Sequence, residues 1–337
     1  NINIMILEKS YLGGYSMSSN IMQEMRDVLR RRHYSIRTEH TYCDWVKKYI
    51  RHFNMQSRDD LRDGEKKIER YLTFLAQEKN VAPSTQNQAL NALVFFYKHV
   101  LKQPLDNTIN AERAAKKVRI PVVLTRDETK RIIHAMSGTH QLVVKLLYGS
   151  GLRIIECLRL RVHDIDFAMK SLTVRSGKGD KDRITTFPPS LQAPLEEHLK
   201  QVEIVHQHDL RDGHGEVYLP HALSRKYPDA ARQWHWQYVF PAKKPSIDPR
   251  AGVTRRHHLD PSPINNAIAN AVRIAGVNKR VSAHTFRHSF ATDLLRRGTD
   301  IRTIQNLLGH SDVKTTMIYT HVLQQGGEGV VSPLEDL

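Results

Sequence analysis

The spacing of apolar residues constrains the fold of this chain more than any other feature of its sequence. Over residues 17–101, apolar side chains recur every three or four positions in four separate stripes, as they do in amphipathic helices. The fourth stripe opens at Pro83, and proline is favoured in the first turn of a helix. In HDIDF, SLTVR and RITTFP, between residues 163 and 188, the period changes to two, which is typical of short strands. These patterns predict a mainly α protein with a small antiparallel β-sheet.

The same patterns divide the chain into domains. We predict an all-α, four-helix N-terminal domain over residues 17–101 and a second, α+β domain over residues 124–337. The segment 102–123 is polar and basic and contains two prolines, so it is predicted to be a linker. Thr125 and Glu128 have the spacing of a capping box, which marks the start of the next helix. The first sixteen residues precede Met17 and are predicted to be a disordered or upstream leader.

The charge of the chain indicates a polyanionic partner. The 337 residues include 51 Lys and Arg against 35 Asp and Glu, which gives a net charge of +16. Nucleic acid is the simplest partner for such a chain, and the clusters at 30–32, 255–256 and 296–297 suggest directed basic patches. Ribosomal and membrane-surface proteins share this balance, so charge alone does not decide between them.

Cysteine usage and hydropathy indicate a cytoplasmic protein. Cys43 and Cys157 lie in amphipathic patterns without a CxxC motif, and we expect both to be reduced thiols in or near a core. No apolar run approaches the length of a membrane span, and no segment resembles a signal peptide. A membrane partner is therefore not expected.

A group of chemically active side chains lies in the run from Ala283 to Tyr319. On a helix, His284 and Arg287 are three positions apart and can point into one cleft. Gly309 is predicted to end a helix, and His310 follows it directly. Tyr319 comes nine residues after His310. One helical hairpin would therefore carry two histidines, an arginine and a tyrosine. This combination predicts chemistry on a phosphate, with the tyrosine phenol as the nucleophile.

Each of these residues also has a simpler interpretation. An isolated histidine is more often a surface or core residue, and Lys178, at the tip of SGKGDKD, could be an ordinary solvated turn residue. His284 and His288 have the four-residue spacing of zinc ligands on a helix. However, the zinc protease motif requires a glutamate after its first histidine, and this chain has Thr285 there.

Four stretches together resemble the catalytic set of the tyrosine recombinases: YGSGLRIIE, GKGDKDR, HTFRHSFAT and LLGHSDVKTTMIYTHV. The resemblance covers nearly the whole chain from Met17 onward. It implies an enzyme that breaks and rejoins DNA, with an N-terminal domain that grips DNA. It places the catalytic set of the family, in chain order, on Arg153, Lys178, His284, Arg287, His310 and Tyr319.

The resemblance also implies a role for each residue. Tyr319 would attack a phosphodiester, leaving a 3′-phosphotyrosyl bond and a free 5′-hydroxyl. Arg153 and Arg287 would stabilise the charge that develops on the phosphate oxygens, because guanidinium groups match phosphate geometry. Lys178 would be the general acid for the leaving oxygen.

The remaining roles are supporting ones. His284 would assist proton transfer, and His310 would hydrogen-bond a phosphate oxygen. Glu156 lies one helical turn beyond Arg153 and could hold it in position. No cofactor or metal is expected, since the arginines neutralise the charge.

The segment at about 199–263 is predicted to be an insertion, and it resembles the one that marks integron integrases. Aromatic rings and imidazoles beside basic residues suit stacking on extrahelical bases, and we predict this role for Trp234, Trp236, His257 and His258. The alternative is a surface excursion whose aromatic residues bury one another.

The integron resemblance implies insertion and excision of gene cassettes. The DNA partners would be a duplex attachment site and a folded single-stranded cassette site, held by a homo-tetramer. A C-terminal tail over 322–337 could pack on a neighbouring protomer. Two alternatives are a phage-type or chromosome-dimer-resolving recombinase on duplex DNA, and a non-catalytic DNA-binding protein, which would not need Tyr319.

Overall fold

The computed structural model describes residues 17–103, 105, 109, 111, 121–175, 182–219 and 221–325. The chain divides into two compact units, Asn1–Val118 and Arg119–Leu337. The predictions for the leader at 1–16, for Lys178, for most of the linker at 102–123 and for the tail at 322–337 beyond residue 325 lie outside the described residues. In the described part, no helix is both long enough and apolar enough to cross a membrane.

The described part of the first unit contains four α-helices. Ser35 caps the second helix by accepting a hydrogen bond from the Thr38 N–H at 3.1 Å, and Pro83 lies in the first turn of the fourth, as predicted. A 3₁₀ turn, Arg58–Leu61, precedes the third helix, and a π-helical turn, Phe96–Val100, continues the fourth. The helices are α1 Met17–Arg31, α2 Ile36–His52, α3 Gly64–Gln77 and α4 Pro83–Phe95.

The apolar stripes of these helices form one core. Tyr49 of α2 and Tyr97 of the π-helical turn are both buried, and their hydroxyls lie 2.9 Å apart. This hydrogen bond gives each buried hydroxyl a partner, and without one their burial would destabilise the fold. Cys43 is also buried in this core as a free thiol.

The second unit is also mainly helical. The predicted capping box starts its first helix: the Glu128 N–H donates to Thr125 Oγ1 at 3.1 Å, and the Thr125 N–H donates to Glu128 Oε2 at 2.8 Å. Its helices are α5 Arg126–His134, α6 Gly138–Ser150, α7 Ile154–Leu158, α8 Gln192–Arg211, α9 His221–Lys226, α10 Pro261–Ile274, α11 Ala283–Arg296, α12 Ile301–Leu308 and α13 Lys314–Gln325.

The strands are short and antiparallel. The three-stranded sheet has the order β1 Ile165–Asp166, β2 Ser171–Val174 and β3 Arg183–Thr186, with Leu172 opposite Thr185. A second pair consists of β4 Ser246–Ile247 and β5 Thr254–Arg255. A mainly α chain with small antiparallel sheets is the predicted fold class, which is thereby confirmed.

The predicted insertion begins and ends inside helices. Helix α8 begins at Gln192, before residue 199, and α10 begins at Pro261, before residue 263. Along α8 the buried residues Leu195, Val202 and His206 keep a helical spacing, so the sequence shows no break at 199. The segment between the two helices is residues 212–260, and we call it the inserted segment. It contacts the chain that follows α7 through two backbone hydrogen bonds, from Val162 to Gln237 at 3.0 Å and from Val239 to Leu160 at 2.8 Å.

Candidate active site

A tight turn between α6 and α7 places the first candidate residue, Arg153. Gly151 ends α6 with a φ of 64°, and a Cβ atom there would lie 2.4 Å from the Phe290 ring. Glycine alone fits both the left-handed backbone and the close approach. Arg153 then caps the N-terminus of α7, with its side chain 23% exposed.

The Glu156 carboxylate lies at the centre of a group of guanidinium groups. It accepts hydrogen bonds from the Arg153 backbone N–H at 2.8 Å and from Arg153 Nη1 at 2.6 Å. Arg183 donates to both carboxylate oxygens, at 3.0 and 2.7 Å. Burial alone would raise the pKa of Glu156, but the bonds from Arg183 and Arg153 outweigh it and hold this pKa at about 2.

Sequence reasoning missed Arg183. Besides its bonds to Glu156, this side chain donates from Nε to the Leu307 carbonyl oxygen at 2.9 Å. It therefore ties β3 to α7 and to the end of α12. The available signal was its place as the last residue of GKGDKDR, a stretch in which only Lys178 was predicted to be catalytic and Arg183 was predicted to begin a strand.

Arg287 of α11 connects three parts of the site. It is 2% exposed, and its two terminal nitrogens donate to the carbonyl oxygens of Gly151 and Leu308, each at 2.5 Å. Its Nη1 also lies 3.6 Å from Glu156 Oε2. Burial, followed by the charge of Arg153, lowers the pKa of Arg287. A guanidinium still keeps its charge near neutral pH because its ordinary pKa is above 12.

The Tyr319 hydroxyl lies inside this cluster. The side chain is 1% exposed, and its oxygen lies 3.0 Å from His288 Nδ1. Burial raises the pKa of Tyr319 although Arg287 and Arg153 oppose the effect, so the group is a neutral phenol near pH 7. In the sequence His288 suggested only a zinc ligand, yet in the structure it is the hydrogen-bond partner of Tyr319.

Two further histidines border the tyrosine. Gly309 ends α12, as predicted, with a φ of 63°, and His310 follows it. The His310 ring stacks on the Tyr319 ring, with ring centroids 6.3 Å apart and ring planes 17° from parallel. Its Nδ1 lies 2.9 Å from Thr316 Oγ1. Burial, then Arg287 and Arg153, lower the pKa of His310 to about 4, so it is neutral at pH 7. His284 is more exposed, and its ring lies 6.3 Å from that of His288.

The structure thus brings most of the predicted catalytic residues together. A phenol, neutral imidazoles and guanidinium groups surround one point, a set of groups suited to a phosphodiester. Throughout the described ranges, no group of three or more His, Cys, Asp or Glu side chains could hold a metal ion. The residues brought together are Arg153, Glu156, His284, Arg287, His310 and Tyr319.

The inserted segment forms an open cleft of about 490 Å³ whose lining includes Tyr227, His235 and Trp236. The Trp236 ring lies edge-on to His163, with centroids 4.5 Å apart. The Arg161 guanidinium lies 5.7 Å from the Trp236 ring and donates to the Trp236 carbonyl oxygen at 2.5 Å. We call this cleft the aromatic cleft.

Of the four residues predicted to stack on bases, Trp236 lines the aromatic cleft, and the other three lie elsewhere in the same region. Trp234 is on the same 3₁₀ turn, but its ring stacks on His206 of α8 with centroids 6.0 Å apart. His257 and His258 lie 4.2 Å from each other and pack edge-on against Tyr238.

Comparisons with known proteins place this chain in a family. Residues 122–325 match the phage integrase family, and residues 21–107 match the N-terminal SAM-like domain of phage integrases. The chain is 47% identical over 320 residues to an integrase/recombinase of Escherichia coli, across 95% of this chain and 94% of that protein. It is 30% identical over 261 residues to tyrosine recombinase XerC of Anoxybacillus flavithermus, across 75% of each chain.

A solved structure has the same fold. The XerH site-specific recombinase bound to a palindromic difH substrate aligns with 94% of this chain and 85% of its own, with a TM-score of 0.57 and 20% identity. At this identity the likeness concerns the fold alone. The family match and the sequence relatives carry the assignment: the chain belongs to the phage integrase family and is a tyrosine recombinase, an enzyme that breaks and rejoins DNA strands.

Proposed function

We propose that this recombinase is an integron integrase, which inserts and excises gene cassettes and binds both a duplex attachment site and a folded single-stranded cassette site. The observation that carries this proposal is the aromatic cleft. A tryptophan that lines an open cleft of a basic protein together with the exposed Lys226 offers an extrahelical base a stacking face and a nearby charge.

The proposed chemistry starts at Tyr319. Its oxygen attacks the scissile phosphorus, the bond to the 5′-oxygen breaks, and a 3′-phosphotyrosyl bond forms. This intermediate conserves the bond energy, so a hydroxyl of the partner strand can reverse the step without ATP. Arg153 has donors beyond those bonded to Glu156 and is partly exposed, so it can bind the non-bridging oxygens directly.

The other residues have supporting roles in this proposal. Arg287, with two of its donors bonded to backbone carbonyls, adds positive charge and fixes the site around it. His310 donates a hydrogen bond to a phosphate oxygen, and His284, on the open side, assists proton transfer. Lys178 protonates the leaving 5′-oxygen. The arginines neutralise the phosphate, so the scheme includes no metal.

A second candidate is a recombinase that acts on fully paired duplex sites. The relative named tyrosine recombinase XerC favours it, at 30% identity across 75% of this chain. The two candidates share the cleavage chemistry and differ in the DNA that they recognise. DNA recognition therefore has to be tested directly.

Paired binding titrations at one salt concentration distinguish these candidates. The probes are an imperfect hairpin with extrahelical bases and the fully paired duplex of the same stem. A base–aromatic stack contributes about 1–3 kcal/mol, so Trp236→Ala should weaken hairpin binding roughly tenfold and duplex binding little. Trp234→Ala, two residues away and stacked on His206, is the matched control and should have a smaller effect. Equal losses on both probes for Trp236→Ala would favour the duplex-acting candidate.

We also infer the working assembly and its location. Exchange between two duplexes requires four strand cuts, which four protomers in a closed ring would supply. We place this tetramer in the cytoplasm, because its substrate is DNA and because Cys43 and Cys157 are buried as free thiols.

A further inference from the structure

The Tyr319 hydroxyl has a hydrogen-bond partner whose role is not explained by the scheme above. Among the residues that the structure describes, His288 Nδ1 is the one group within hydrogen-bond distance of this oxygen, at 3.0 Å. A buried phenol needs an acceptor for its proton. If His288 Nδ1 carried a proton and donated a hydrogen bond to the Tyr319 oxygen, the hydroxyl proton of Tyr319 would have no such acceptor. The tyrosine therefore donates, and the imidazole accepts at Nδ1.

We propose that His288 is a catalytic residue of the proposed reaction, the general base that takes the proton of Tyr319 as this oxygen attacks the phosphate. The inference rests on the proposed function. His288 directly follows Arg287 on α11, so the proton acceptor and the charge that stabilises the phosphate are held by the same helix.

The surroundings of His288 keep its imidazole neutral in the DNA-free protein. Burial, and then the neighbours His284 and Arg287, lower the pKa of His288 to about 4. The imidazole is therefore neutral and able to accept a proton at pH 7. The phosphate brings a negative charge into the cluster, and this charge favours the imidazolium as it forms.

The step balances in protons and bonds. The Tyr319 O–H bond breaks, and its proton goes to His288 Nδ1 while the tyrosine oxygen bonds to phosphorus. The bond from phosphorus to the 5′-oxygen breaks, and that oxygen takes a proton from Lys178. In the reverse step, Lys178 takes the proton of the attacking 5′-hydroxyl, and His288 returns its proton to Tyr319.

The His288→Asn variant separates proton transfer from positioning. An asparagine amide can accept the Tyr319 hydrogen bond from about the place of Nδ1, but it does not take up a proton. The probe is a linear duplex recovered from a randomised library by covalent capture on the full-length wild-type protein. The rate of covalent complex formation should fall about a hundredfold in His288→Asn. His134→Asn, an exposed histidine of α5, is the matched control and should keep the wild-type rate.

A second duplex of the same sequence, with sulfur in place of the bridging 5′-oxygen, identifies which side of the reaction is affected. A thiolate leaves without protonation, so this duplex should restore the rate of Lys178→Ala and leave His288→Asn slow. A His288→Asn rate equal to or above wild type would overturn the proposal, because the hydrogen bond would then only hold Tyr319 in the DNA-free protein. Restoration of His288→Asn by sulfur would overturn it too, by placing the residue on the leaving-group side.

A DNA-free measurement keeps the proposal testable if the variant folds poorly. Nitrogen NMR of the histidines in the full-length protein should show His288 with an unprotonated Nδ1 whose signal shifts in Tyr319→Phe. A protonated Nδ1 at pH 7 would contradict the proposal. If the wild-type protein captures no duplex at all, the proposed function itself fails, and that outcome is distinct from a fast His288→Asn variant.

Discussion

Replacing Glu156 with glutamine tests the account of how the site is held together. The carboxylate is 8% exposed and accepts four hydrogen bonds, from Arg153 and Arg183. Its pKa falls from an ordinary 4.5 to about 2. At about 1.36 kcal/mol for each pKa unit, the ionised carboxylate contributes about 3 kcal/mol to the free energy of unfolding at pH 7.

The sign of the pH dependence follows from the direction of the shift. A pKa lowered by folding gives stability that is present above the unfolded value, near 4.5, and is lost as the pH falls toward 2. Glu156→Gln should therefore unfold more easily than wild type by about 3 kcal/mol at pH 7, and the difference should shrink by roughly half at pH 3. For a unit of this size, the pH 7 difference lowers the melting temperature by about 6–12 °C.

Urea unfolding followed by circular dichroism at the two pH values measures both quantities. Glu197→Gln is the matched control, because Glu197 is 65% exposed and its ion pair with Lys200 spans 3.4 Å. Exposed pairs contribute less than about 1 kcal/mol, so this variant should unfold nearly like wild type. A Glu156→Gln protein within 1 kcal/mol of wild type at pH 7, or a difference independent of pH, would refute the reasoning.

Two further predictions concern the chemistry. Tyr319→Phe removes the phenolic oxygen from an otherwise intact helix, so gel analysis should show no denaturation-resistant protein–DNA adduct while DNA binding persists; an adduct with the phenylalanine variant would show that another residue is the nucleophile. Arg153→Ala should slow cleavage roughly a hundredfold or more, as expected when a charge-stabilising donor is lost, and a chelator should leave the wild-type rate unchanged; a rate that depends on added metal would contradict the proposed scheme.

The fold could be predicted well from local patterns. The α5 capping box and the left-handed Gly309 that ends α12 are both properties of a few neighbouring residues. Such features depend on backbone geometry that only certain residue types adopt well, so the sequence displays them. The predicted start of the insertion, at about 199, lies within α8, whose buried residues keep a helical spacing through it, so no residue there marks a break.

The candidate site was predictable only in part, since sequence patterns reveal the residues suited to the reaction better than those that position them. A phenol, a guanidinium and an imidazole are recognisable because few residue types can supply their chemistry. Arg183 was missed because its partners come from distant segments: Glu156 lies 27 positions away in sequence and Leu307 lies 124 away. His288 was missed for a similar reason, because its partner Tyr319 is 31 positions away on another helix.

Arg287 shows why a reacting residue and a positioning residue are hard to separate in this site. Its place in HTFRHSFAT suggests a phosphate ligand, yet in the folded chain it donates to backbone carbonyls 136 and 21 positions away. A carbonyl carries no sequence signal, because every residue has one. Removal of Arg287 would leave these two buried acceptors without their donor and Glu156 with one positive neighbour fewer, so folding and catalysis would both suffer. A loss of activity in an Arg287 variant therefore identifies a phosphate contact only when the stability of that variant is measured beside it.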